Sequence, residues 1–257
     1  MSEQNLSLAA RDDLIRRALE LAKSSAERIY PAASEERLAS YLENMRADAG
    51  RGQSIIPASQ TAVELGSPQC ISENGVLWTF AKNLVTDARI HLLGPDLPEC
   101  GGRSLDFCQL ILLGLVGNTP PEKFKLEAGQ FLPDRLPGLM ARMIPGRLWI
   151  RISLNAISAG LDFQLVGAAL AKAYKAIGGV QSVEIILVTD KAAAEKFHPM
   201  VSEVRILAGT HKRVALGAGG DYECRELNCE RCEDKPICDI IREVKVIRRR
   251  GQKAAKA

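Results

Sequence analysis

Residues 109–116 read QLILLGLV, a run in which only Gln109 and Gly114 interrupt aliphatic side chains. A strand with one wet face alternates apolar and polar residues, whereas this run is apolar at nearly every position, so it predicts a strand buried on both faces. Residues 183–188 (VEIILV) share that character. Residues 88–93 (ARIHLL) and 147–153 (RLWIRIS) add two more predicted strands. Between 147–153 and 183–188, the alanine-rich stretch 163–177 has the composition of a helix, and 191–204 predicts another after Asp190. Strands alternating with helices imply an α/β fold, a layered sheet with flanking helices.

Working outward to the N-terminus, residues 12–28 place Leu14, Ala18, Leu21, Ala22 and then Ile29 at helical spacing, until Pro31 ends the pattern. Ser34 reads as a cap, Glu35 and Glu36 suit a first turn, and Leu38, Tyr41, Leu42 and Met45 form a second apolar stripe that stops before Gly50. The expected organisation is an N-terminal helical hairpin over 1–50, a connector over 51–75 rich in glycine, serine and proline, and an α/β domain over 76–219. A cysteine-rich segment over 220–243 and a basic tail over 244–257 complete it.

At 257 residues and 46% hydrophobic, the chain can bury a sizeable core. No apolar run reaches the length of a membrane span, and MSEQNLSLAARDD lacks the basic and apolar regions of a signal peptide, so a cytoplasmic location is expected. The net charge of +3 is an average that hides the tail: Lys245, Arg248, Arg249, Arg250, Lys253 and Lys256 carry six positive charges with no acid, leaving about −3 on the rest. Such a tail could grip nucleic acid, but no interleaved aromatic offers a base a stacking face, and nucleic acid is not expected.

Four of the seven cysteines fall within fifteen residues. Cys224, Cys229, Cys232 and Cys238 follow C-x4-C-x2-C-x5-C, in a segment whose few apolar residues (Leu227, Ile237, Ile240 and Ile241) cannot build a core. A disulfide knot is disfavoured where thiols stay reduced, and the spacing points to a metal centre that would fix the segment. Zinc sites usually show two C-x2-C knuckles, and here only Cys229 and Cys232 stand in that relation. The C-x4-C-x2-C opening is similar to that of plant-type ferredoxins, so an iron–sulfur cluster, expected as 4Fe–4S, leads and zinc remains the alternative. Cys70, Cys100 and Cys108 lie in or beside the α/β layer and read as small buried hydrophobes.

Familiar catalytic signatures are missing. There is no G-x-G-x-x-G after a strand and no phosphate loop, and Gly217, Ala218, Gly219 and Gly220 read as a hinge. His91, His198 and His211 are solitary, and Asp190 most simply caps a helix.

Three blocks nevertheless carry a pattern: 90–96 (IHLLGPD), then 149–153 (WIRIS) with Ala156, Gly160 and Phe163, then 188–190 (VTD). In that order and spacing they resemble the middle domain of acetyl-CoA synthase, the beta subunit of the CO dehydrogenase/acetyl-CoA synthase complex, over about residues 75–205. The resemblance implies an α/β domain that helps receive coenzyme A through Trp149 and Arg151, an indole face suiting adenine and a guanidinium suiting phosphate. It also implies a tryptophan where this chain has Met140. Cys224, preceded by Tyr222, falls near the first cluster-binding cysteine of the family, after which the spacing departs and the family's nickel-holding Cys-Gly-Cys is absent. The chain is therefore not expected to be an acetyl-CoA synthase by itself. The leading expectation is an iron–sulfur accessory or electron-transfer protein of anaerobic one-carbon or acyl-CoA metabolism, docking on a CO dehydrogenase/acetyl-CoA synthase-type or other redox complex. The alternative is a zinc-stapled interaction or nucleic-acid-binding protein.

Overall fold

The computed structural model describes residues 3–25, 28–46, 56–102, 104–117, 120–121, 126, 136–144, 147–207, 214–216 and 222–224. The chain divides into two compact units, Met1–His211 and Lys212–Ala257. In chain order the first unit contains α1 (Glu3–Ser24), β1 (Arg28–Pro31), α2 (Glu35–Arg46), β2 (Thr61–Leu65), β3 (Ser72–Thr79), β4 (Arg89–Leu93), β5 (Ser104–Leu105) and β6 (Phe107–Leu115). It continues with β7 (Leu139–Ile144), β8 (Arg147–Ser153), α3 (Leu154–Ser158), α4 (Phe163–Lys175), β9 (Val180–Val188) and α5 (Lys191–Leu207). The second unit contributes β10 (Val214–Leu216) and β11 (Tyr222–Cys224), paired antiparallel. The expected boundary at 219 thus runs between the two strands of one hairpin, because 217–220 joins strands that pair with each other.

Mixed α/β architecture follows from the central sheet, ordered β1-β4-β9-β6-β3. β4 runs parallel to β9 and β3 parallel to β6, while the β9–β6 and β1–β4 junctions are antiparallel. A second sheet, ordered β5-β2-β8-β7, packs beside it. Because successive side chains on a strand point to opposite faces, the run 109–116 feeds two cores at once. Phe107, Ile111, Leu113 and Leu115 enter a core shared with β2, β8, α2 and α4. Cys108, Leu110 and Leu112 enter the other, roofed by Leu14, Ile15, Ala18 and Ala22 of α1 and by Ala194, Phe197 and Val204 of α5. Each such side chain contributes about 1.5–3 kcal/mol on full burial, which explains why the run tolerates so few polar residues.

The helices are set by local chemistry. Asp162 caps α4, its Oδ1 accepting from Leu165 N at 2.9 Å, and Asp190 caps α5, its Oδ1 accepting from Ala193 N at 2.9 Å. At the C-terminal end of α1, the Ser24 and Ser25 hydroxyls donate to Leu21 O at 2.9 and 2.8 Å, satisfying a carbonyl that has run out of helical partners.

Two expectations are corrected. The N-terminal segment is not a helical hairpin: α1 and α2 serve opposite cores, and β1 between them pairs with β4. Tyr30 precedes Pro31, which disfavours the helical region for that residue, so the chain extends through Ile29 into an edge strand. Nor is 51–75 simply a connector, since it holds β2 and the start of β3. Ala62, Val63 and Leu65 are buried, and the glycine and proline around them bound the strand instead of excluding it. Gly66 turns the chain at φ +63°, where a Cβ would lie 2.4 Å from Leu148 O.

Gly94 closes the adjoining carboxyl ends of β4 and β9. The N–H groups of Thr189 and Asp190 both donate to Leu93 O, at 2.8 and 3.1 Å, and Thr189 Oγ1 donates to Pro95 O at 2.8 Å. Gly94 has φ +113°, and a Cβ there would meet Asp190 N at 2.4 Å, so both the conformation and the space require glycine. Gly94→Ala should cost about 3 kcal/mol or more in urea denaturation, whereas Gly101→Ala, which faces open space at φ +53°, should cost about 1 kcal/mol. Equal costs would contradict this packing.

Candidate functional site

β8 alternates strictly. Leu148, Ile150 and Ile152 are buried in the core, while Arg147, Trp149, Arg151 and Ser153 stand on the other face, half-buried. The structure therefore brings Trp149 and Arg151 together, with the guanidinium carbon 4.4 Å from the indole centroid, a cation–π contact. Between them reaches Glu64 of β2, directly opposite Arg151 in the antiparallel register. Its Oε1 accepts from Trp149 Nε1 at 2.8 Å and from Arg151 Nε at 3.0 Å, while its Oε2 accepts from Ser104 Oγ of β5 at 3.0 Å. Arg151 also donates to Ile56 O at 3.1 Å. Met140 of β7, where the resemblance implies a tryptophan, lies opposite Arg151 in register and is buried.

This constellation joins β5, β2 and β8 across their outer face. Burial pushes the Glu64 carboxyl up, yet the hydrogen bonds from Arg151, Trp149 and Ser104, with the charge of Arg151, together outweigh it and hold the group below the usual carboxylate range. Chemically, an arginine and an indole face suit a planar anionic ligand, but here Glu64 already supplies the negative charge. A phosphate at Arg151 would share the guanidinium with that carboxylate.

The other candidate residues fall in different places. Cys224 ends β11, opposite Val214 in the hairpin of the second unit, and Cys229, Cys232 and Cys238 lie outside the described residues. Cys70, Cys100 and Cys108 belong to the first unit. Cys100 and Cys108 are buried, and the Cys100 thiol donates to Asp96 O at 3.1 Å. Among the described residues no group of three or more His, Cys, Asp or Glu side chains is placed to hold a metal. For the cysteine segment the fit therefore rests on donor chemistry: four thiolates are a complete ligand set for either an iron–sulfur cluster or zinc.

His91 is fully buried on β4, its Nε2 2.7 Å from Oε1 of the equally buried Glu184 on β9, and Glu184 Oε2 accepts from Thr86 N at 2.6 Å. This is an internal pair that ties two parallel strands. His198 is largely exposed on α5, with Nδ1 2.8 Å from Glu73 Oε1 of β3, and His211 lies outside the described residues. Sequence reasoning missed Glu64, Glu73 and Glu184. Each sits 85 or more positions from a partner it meets, and only for Glu64 was there a local signal, its place between the apolar Val63 and Leu65.

No protein-family model matches the chain, and no curated protein matches it. No helix among the described residues is long and apolar enough to cross a membrane.

The Glu64 network makes a pH prediction. Its folded-state pKa is depressed, so the stability it contributes is present above the unfolded value of about 4.3 and is lost as pH falls through the folded value. Compared with Glu64→Gln, the wild-type chain should be more stable by about 1 kcal/mol at neutral pH. That advantage should fade in urea titrations as the pH is lowered from neutrality through the carboxylate range. An advantage constant across this range would contradict it.

Proposed function

We propose that the chain is an iron–sulfur-binding accessory or electron-transfer protein, in which an α/β unit accompanies a cysteine segment that holds the cluster through Cys224, Cys229, Cys232 and Cys238. The observation that carries this reading is the spacing of four thiolates within fifteen residues, in a segment too poor in apolar side chains to fold on a core of its own. The α/β unit adds support by contrast: its three cysteines are scattered, two of them buried in packing roles, which leaves the C-terminal set as the natural ligands. A bound cluster would supply one-electron chemistry.

The similarity of 90–96, 149–153 and 188–190 to the acetyl-CoA synthase middle domain motivates the choice of partner, a redox complex of the CO dehydrogenase/acetyl-CoA synthase type. Two of these blocks meet where β4 and β9 end, Leu93 and Pro95 accepting from Thr189 and Asp190, so their residues also have a packing reason of their own. With no Cys-Gly-Cys for nickel, the proposed role is to carry electrons or to dock and not to synthesise acetyl-CoA.

Anaerobically purified full-length chain should be brown, with broad visible absorption and acid-labile sulfide, and a reduced sample should give an electron paramagnetic resonance signal. Cys229→Ala or Cys232→Ala should lose most of the iron, and Cys70→Ala and Cys108→Ala should keep it. Full iron content in both segment variants would overturn the ligand assignment. A colourless protein with stoichiometric zinc would move the function to a zinc-stapled interaction or nucleic-acid-binding module.

Coenzyme A at Trp149 and Arg151 is a separable part of the proposal, favoured by the stacking of those two side chains and opposed by Glu64. In a Trp78→Phe background, coenzyme A should quench Trp149 fluorescence. Glu64→Gln should tighten binding by about tenfold, the equivalent of one lost competing interaction, and Arg151→Ala should abolish it. No binding at millimolar ligand in either the parent or Glu64→Gln would leave the constellation a cross-strand tie alone.

A further inference from the structure

The strand that feeds both cores carries one polar side chain, Gln109. It is fully buried, and neither its Oε1 nor its Nε2 has a hydrogen-bond partner among the described residues. Native proteins seldom leave a buried amide unsatisfied, because its desolvation is then uncompensated. A leucine at this position would simply complete the run.

The surroundings of Gln109 are polar on one side only. By register it stands between Leu187 of β9 and Asn74 of β3, and it shares the core-facing side of β6 with Phe107 and Ile111. Asn74 is buried as well, and Ser72, two residues earlier on the same strand face, donates through Oγ to Leu148 O of the second sheet at 2.6 Å. Phe107 stacks on Phe163 at 6.2 Å, closing the row towards α4. Ser72, Asn74 and Gln109 thus form a polar row in the seam between the two sheets. Since β3 is the outermost strand, Asn74 stands between Gln109 and the edge of the sheet.

We propose that Gln109 and Asn74 line an internal binding site for a small uncharged hydrogen-bonding molecule, one that accepts from the Gln109 amide N–H and donates to its carbonyl oxygen. Both an ordered water and a small neutral organic molecule have this chemistry. An anion is disfavoured, because no positively charged group belongs to the row.

Two measurements on the full-length chain separate the sources. Oxygen-17 magnetic relaxation dispersion counts long-lived internal waters, and native mass spectrometry detects a retained neutral molecule. In wild-type protein one of them should report an occupant that Gln109→Leu loses: at least one fewer long-lived water, or disappearance of the added mass. Gln109→Met, which keeps the length of the side chain, replaces the leucine variant if that one fails to fold. If neither measurement distinguishes wild type from variant, the proposal is overturned, and a rise in the variant's Tm of about 3 °C or more would then mark the amide as an unoccupied polar defect.

Discussion

The antiparallel ladder between β6 and β9 is the constraint on which the first unit depends. It joins two parallel pairs, β3 with β6 and β4 with β9, into one sheet, and both of its faces are buried. A one-residue slip would exchange the side chains offered to the two cores, sending Leu110 and Leu112 towards the second sheet and Ile111 and Leu113 towards α1 and α5. Since both faces are apolar, hydrophobicity alone does not forbid that slip. Polar contacts fix the strands on either side of the ladder: His91 with Glu184 and the Thr189 and Asp190 amides on Leu93 O set β4 against β9, and Ser72 on Leu148 O sets β3 against β8. Buried polar pairs of this kind offer specificity more than net stability.

Legibility in the sequence followed how each strand is buried. β4, β6, β8 and β9 were readable because their apolar runs or alternations are long, and α4 and α5 because alanine-rich stripes follow Asp162 and Asp190. β3 was not, since Ser72, Glu73, Asn74 and Gly75 occupy half of it. Those residues suit the end of an edge strand, where Glu73 reaches His198 and Gly75 leaves room for Val204. β2 was hidden by the glycine and proline that bound it. Ile29 and Tyr30 extended a helical pattern on paper, and only Pro31 and pairing with β4 decide for a strand.

The candidate sites divide along the same line. Trp149 and Arg151 were legible as a pair two residues apart on one strand, but Glu64, which accepts from both, arrives from a strand 85 positions away. The cysteine segment is the reverse case, where local spacing says everything about donor chemistry. Gln109 was visible as a blemish in an apolar run, and its significance came only from the absence of partners among the described residues in the seam between the two sheets.

Amide hydrogen exchange in the native full-length chain tests the central claim most directly, because the slowest amides report the structure that opens only on global unfolding. The β6–β9 account predicts that the amides of Leu110, Ile111, Leu112, Ile185 and Ile186 exchange last and together, with those of β1 and β7 exchanging earlier. Exchange of β6 as fast as that of the edge strand β1 would contradict it.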